Sequence, residues 1–134
     1  MTSLPVDPSS FRYIVDDVAS AVTFYTAQLG FVITMQRPDF AQLTGHGMRL
    51  LLSSSSGGGG AAQPLQDGTT PRPGGWNRIQ FLVEDLDAAL AALRASGVPC
   101  RSDVISGRGG RQLLVQDPAG NLVELFEPWP DRAE

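Results

Sequence analysis

Residues 15–31 read VDDVASAVTFYTAQLGF, and this stretch decides the fold. Val18, Ala21, Val22, Tyr25 and Leu29 recur at three- or four-residue steps, which places them on one face of a helix. Asp16 or Asp17 stands where a carboxylate caps the first N–H groups, and Gly30 stands where a helix ends in left-handed backbone. The spacing predicts a helix from about Asp17 to Gln28. A second stretch, VEDLDAALAALRASG at 83–97, follows the same plan. Leu86, Ala89, Leu90 and Leu93 form the apolar face, Asp85 caps it and Gly97 ends it, giving a helix from about Asp85 to Ser96.

Strand signals surround both helices. Phe11–Val15 precedes the first, and Phe31–Met35, Ala41–Thr44 and Met48–Leu52 follow it. Ile79–Val83 precedes the second, and Val98–Arg101, Gln112–Val115 and Leu122–Phe126 follow it. Thr44-Gly45-His46-Gly47 and Asp117-Pro118-Ala119-Gly120-Asn121 supply turns. Each half therefore reads strand, helix, then three strands. The halves also align as a repeat, Asp17-Val18 with Asp85-Leu86 and residues 47–51 with 120–124. Between them, Ser53–Ser56, Gly57–Gly60 and the Pro71-Arg72-Pro73-Gly74-Gly75 run have the composition of a flexible linker, with a mobile flap over a binding site as the alternative. The expected organisation is one α+β structural domain, with a first βαβββ module at 8–54, a linker at 55–75 and a second module at 76–130.

Composition narrows the function. The chain has 134 residues, 42% of them hydrophobic, and a net charge of −4, so a packed core is expected and wholesale disorder is not. No basic stripe exists, which argues against nucleic acid as a partner. No apolar run approaches the roughly 20 residues of a membrane span, and Met1–Pro8 lacks the pattern of a signal peptide. Cys100 is the single cysteine, so no internal disulfide forms, as expected of a cytoplasmic protein. Lacking a histidine base, it reads as a small strand residue and not a nucleophile. Heavy use of Ala, Gly, Pro and Arg suggests a GC-rich bacterial genome.

Two βαβββ modules, Phe24-Tyr25 with Leu29-Gly30-Phe31, and Asp117-Pro118-x-Gly120-Asn121-x-x-Glu124 together resemble the vicinal-oxygen-chelate superfamily over roughly residues 10–128. That superfamily includes glyoxalase I, extradiol dioxygenases, fosfomycin-resistance transferases and bleomycin-resistance proteins. The resemblance implies that each module is a curved mixed sheet with one helix, that the modules pair to form a cleft, and that the protein is a homodimer. It also implies four metal-ligand positions in metal-dependent members, which fall here on Ser10, Leu51, Arg78 and Glu124. Only Glu124 among these is a good ligand, and the sole histidine, His46, sits in a Gly-His-Gly hairpin tip, where it reads as a solvated turn residue. No cofactor is expected, and a divalent metal least of all.

Period-two alternation extends the candidate site. Gln80 and Leu82 share the face of Arg78, Arg12 shares that of Ser10, and Leu122 and Phe126 share that of Glu124. The expected ligand-binding set is Ser10, Arg12, Leu51, Trp76, Arg78, Gln80, Arg111, Glu124 and Phe126. Arg78 and Glu124 either form a structural ion pair or anchor an anionic or carbonyl-bearing ligand. Trp76 either stacks on a planar ligand or seals the modules, and Arg108 or Arg111 either reaches the ligand or lies in a solvated hairpin loop. The glycines of Gly107–Gly110 neither follow a strand nor open a helix, so they form no phosphate loop. The resulting expectation is a small-organic-molecule binder of the bleomycin-resistance type, engaged in drug or metabolite sequestration. The alternative is a lyase, isomerase or dioxygenase acting in the same cleft, with Glu124 as general base or metal ligand.

Overall fold

The computed structural model describes residues 3–6 and 9–130. Pro8, the expected start of the first module, lies outside the described residues, as do Met1, Thr2 and Asp7 of the N-terminal stretch. The chain divides into two units, 1–73 and 74–134.

The first unit holds β1 (Ser10–Val15), α1 (Val18–Leu29), β2 (Val32–Arg37), β3 (Phe40–Gly45) and β4 (Met48–Ser54). Its sheet runs in the order β1-β4-β3-β2, with β1 parallel to β4 and the other pairs antiparallel. Asp17 caps α1: its Oδ1 accepts from Ala19 N at 3.1 Å and its Oδ2 from Ser20 Oγ at 2.8 Å. Gly30, at φ 72°, takes the left-handed position that ends the helix. Tyr25, fully buried, stacks on Tyr13 at 5.7 Å and meets Phe24 and Phe31 edge-on at 4.9 and 6.2 Å. Leu43, Leu50 and Leu52 complete this core.

The β3–β4 hairpin places His46 in its turn, as expected, and adds contacts for its ring. His46 and Gly47 both have positive φ (54° and 71°), the two-residue turn whose twist matches the strands it joins. The exposed His46 ring is no free turn residue. Its Nε2 hydrogen-bonds the Leu29 carbonyl at the end of α1, and the ring packs edge-on against Phe31 at 5.1 Å. The histidine thus ties the hairpin to the helix C-terminus.

The second unit holds β5 (Ile79–Leu82), α2 (Leu86–Ala95), β6 (Ile105–Ser106), β7 (Gly110–Gln116) and β8 (Leu122–Pro128). The order β5-β8-β7-β6, with β5 parallel to β8, repeats that of the first sheet. Asp85 caps α2 through Ala88 N at 3.0 Å. The Asp117–Asn121 turn closes on itself: Asp117 Oδ1 accepts from Ala119 N and Asn121 N, both at 2.9 Å, and Gly120 sits at φ 89°. Asn121 Oδ1 in turn accepts from Gly74 N at 2.8 Å, so this turn also fixes the approach to β5.

The expected strand Val98–Arg101 is not formed. Pro99 has no N–H to donate, and only Cys100 makes a bridge, to Val115. The strand at this place in the order is the two-residue β6 further along the chain. Late in the first unit, residues 60–62 form one 3₁₀ turn. Gly57 passes so near Asp39 that a Cβ there would lie 2.7 Å from the Asp39 Cβ, so this glycine serves a close approach.

Candidate functional site

In the second unit, β5 and β8 pair Gln80 with Glu124, and β7 and β8 pair Leu114 with Glu124. These residues share the face opposite α2. Glu124 is 6% exposed, and a polar group so buried needs partners. It has them on both oxygens: Oε1 accepts from Arg78 Nε at 2.9 Å and pairs with Arg78 NH2 at 2.8 Å, and Oε2 accepts from Gln80 Nε2 at 2.7 Å. Both guanidinium contacts converge on the one oxygen, Oε1, and leave Oε2 to Gln80. Arg78 NH1 also donates to the Trp76 carbonyl at 3.2 Å, which ties the chain before β5 to the same cluster.

Trp76 is 65% exposed, and the Arg101 guanidinium lies 5.7 Å from its ring centroid. Both line a cavity of about 270 Å³ with Gly74, Gly75, Gln116, Gly120 and Leu122. Neither Arg101 nor Gln116 belongs to the expected set. Gln116 was legible, because it lies two residues beyond Leu114 on the Glu124 face. Arg101 was not, because its position depends on the irregular path after Pro99.

Phe126 shares the Glu124 face and pairs with Gln112. Arg111 does not. By alternation from Leu114 it lies on the helix side of the sheet, where it bridges Asp87 at 3.2 Å and Glu127 at 3.1 Å. The hydrogen bonds to Asp87, then to Glu127, raise its pKa further. Glu127 also accepts from the Leu86 N–H at 2.8 Å, so this cluster fastens the start of α2 to the sheet.

The first unit presents the corresponding positions differently. Arg12 pairs with Leu51 across β1 and β4, the register that Gln80 and Glu124 share in the second. Ser10 Oγ accepts from Arg49 Nε at 2.6 Å. A guanidinium is no metal ligand, and Ser10 and Leu51 offer one weak donor between them. Among the described residues no three His, Cys, Asp or Glu side chains gather into a group that could hold a metal ion.

Residues 8–125 match the sequence profile of the Glyoxalase/Bleomycin resistance protein/Dioxygenase superfamily. The chain belongs to this superfamily. Its fold agrees with those of solved members and neighbours at low identity. A lactoylglutathione lyase from Agrobacterium tumefaciens is 20% identical, with TM-score 0.68 and coverage of 92% of this chain and 96% of that one. An antibiotic binding protein from a Streptomyces species is 22% identical, with TM-score 0.68 and coverage of 95% and 100%. A bleomycin-binding protein from Streptomyces verticillus, solved with copper(II)-bleomycin, is 22% identical, with TM-score 0.60 and coverage of 95% and 100%. No curated protein sequence matches the chain significantly. No helix is long and apolar enough to cross a membrane.

Proposed function

We propose that this superfamily member is a metal-independent, cytoplasmic small-molecule-binding protein that sequesters a drug or metabolite. The observation that carries the reading is the closed Arg78–Glu124–Gln80 cluster. Arg78 and Glu124 stand where the family resemblance puts metal ligands, yet Arg78 holds one Glu124 oxygen and Gln80 the other. A metal at Glu124 would have to displace a charge-assisted pair and then sit beside an unpaired guanidinium. The lyase, isomerase or dioxygenase alternative, with Glu124 as base or metal ligand, likewise requires Glu124 to be released from these partners.

The ligand we propose is a planar organic molecule with a carbonyl or anionic group. Its ring stacks on the exposed Trp76, and its polar group meets Arg101 and Gln116 in the adjoining cavity. The homodimer is part of the proposal. The edge strands carry exposed Val32, Ile33 and Met35 on β2 and Leu82 on β5, apolar surface that a second copy would cover.

Thermal unfolding of chelator-stripped protein tests the reading. Bleomycin and planar anionic antibiotics are added in one series, and Ni²⁺, Zn²⁺, Mn²⁺ and Fe²⁺ in another. A ligand at about 100 times its dissociation constant adds roughly 2.7 kcal/mol to stability. The expected result is stabilisation by an organic compound, lost in Trp76→Ala. Stabilisation by a metal that disappears in Glu124→Ala overturns the proposal in favour of a metalloenzyme.

A further inference from the structure

A second cavity, of about 260 Å³, lies within the first unit. It is lined by Arg12, Asp39, Phe40, Ser53, Ser54 and the 59–62 segment. Three independent features mark it as built to receive a polar molecule. First, Ser53 is 5% exposed, and its Oγ is the buried side-chain oxygen without a hydrogen-bond partner among the described residues. Such a hydroxyl carries an uncompensated desolvation penalty in the protein alone. The Phe40–Ser53 pairing, and the β1–β4 register that sets Arg12 beside Leu51, put Ser53, Phe40 and Arg12 on one face of the sheet, the face of the cavity.

Second, Arg12 is exposed and, among the described residues, is in no ion pair or hydrogen bond. Arg78, which in the second unit matches the position of Ser10, is by contrast committed to Glu124. Third, Asp39 is held in place from two sides. Its carbonyl accepts from Ser54 N at 3.0 Å, and its Oδ2 accepts from Gly58 N at 3.3 Å. A carboxylate has capacity for more donors than one backbone N–H. The remaining walls, Phe40, Ala61 and Ala62, are apolar.

We infer that this cavity binds a small carboxylic acid that carries a hydroxyl or amino group on an apolar body. The ligand carboxylate pairs with Arg12 and accepts from the Ser53 hydroxyl. Its own hydroxyl or amino group donates to Asp39. Its apolar body packs against Phe40, Ala61 and Ala62. An inorganic phosphate fits less well, since it brings no apolar body for Phe40, Ala61 and Ala62. The inference does not rest on the Trp76 site and names different residues.

Mandelate supplies all three groups and serves as the probe. The full chain, labelled with ¹⁵N, is titrated to about 20 mM mandelate, a range that detects a millimolar dissociation constant. The expected result is saturable movement of the Arg12, Phe40, Ser53 and 59–62 amide signals. Arg12→Gln and Ser53→Ala should each weaken it about tenfold. Phenylacetate, which lacks the hydroxyl, should also bind about tenfold more weakly. Trp76→Ala should leave this binding unchanged, which separates it from the function proposed above. No saturable movement, movement confined to the signals around Trp76 and Arg101, or insensitivity to either Arg12→Gln or Ser53→Ala overturns the inference. Arg12 is on the surface, and Ser53→Ala removes only the unpartnered oxygen, so both variants are expected to keep the wild-type pattern of signals.

Discussion

The two modules use one topology but hold it together by different means. In the first, α1 buries Val18, Ala21, Val22, Phe24 and Tyr25, and an aromatic cluster of Tyr13, Phe24, Tyr25 and Phe31 joins helix to sheet. In the second, α2 buries only Leu86 and Leu93, and it is fastened by Arg111 to Asp87 and Glu127 and by Glu127 to the Leu86 N–H. The opposite faces of the sheets reverse this order. Among the described residues Arg12 of the first module, beside Leu51, is in no ion pair, whereas the second module closes Arg78, Gln80 and Glu124 into one cluster. A repeat preserves the positions of strands and caps, because backbone hydrogen bonding needs them. It leaves the side chains on each face free to diverge.

The largest effect should come from the aromatic core. Tyr25→Ala should cost about 4 kcal/mol in urea unfolding, and Leu93→Ala in α2 about 2–3 kcal/mol. An equal or greater loss at Leu93 would break the contrast between the two helices. The polar cluster should come next. Glu124→Ala leaves Arg78, only a quarter exposed, without its partner and should cost about 3 kcal/mol. The double variant Arg78→Met/Glu124→Leu, which gives the second face an apolar residue as at Leu51, should recover to within about 1 kcal/mol of wild type. If it does not recover, the cluster contributes stability of its own beyond cancelling a buried charge.

Arg111→Gln should have a smaller effect, because Asp87 is 73% exposed and the pair is screened by salt. Faster amide exchange in α2, with α1 unchanged, is the expected signature, and the difference from wild type should shrink as ionic strength rises. The smallest effect should be at the α1 cap. The Ser20 hydroxyl, then the Ser20 N–H, hold the Asp17 carboxyl below its ordinary value of 3.8. A carboxyl depressed in the folded state contributes stability above its unfolded pKa and loses it as pH falls through the folded one. Circular dichroism melts of wild type and Asp17→Asn should therefore differ at neutral pH and converge in acid. A constant difference across that range would mean that the cap acts through geometry alone.

Much of this was legible in the sequence. The caps Asp17 and Asp85, the stop at Gly30 and the Asp117–Asn121 turn are local. Each acts on backbone within a few residues of itself, so spacing alone reveals it. Alternation likewise put Gln80 on the face of Arg78, and the family resemblance implied that Arg78 and Glu124 converge. Alternation also held the information that Arg111 faces away from them, but the adjacent glycine-rich loop obscured the strand start at Gly110. Val98–Arg101 misled because the Val98 N–H bonds back to the Leu93 carbonyl at the end of α2 and Pro99 has no N–H, which leaves only the Pro99 carbonyl and the Arg101 N–H to pair with β7 around the single Cys100–Val115 bridge.

The amino-acid sequence by itself determined the repeat, the two helices with their ends, and most of the strands, because these depend on short-range periodicity and turn chemistry; the parallel pairings that make the sheets mixed join distant segments. Only the tertiary structure decided which charges are spent and which are free. Whether Arg12 or Arg78 meets a carboxylate, whether the Ser53 hydroxyl finds an acceptor, and whether Arg101 reaches Trp76 depend on which chain segments arrive from far along the sequence. An ion pair or hydrogen bond forms over about 3 Å, a distance set by packing and register rather than by spacing along the chain.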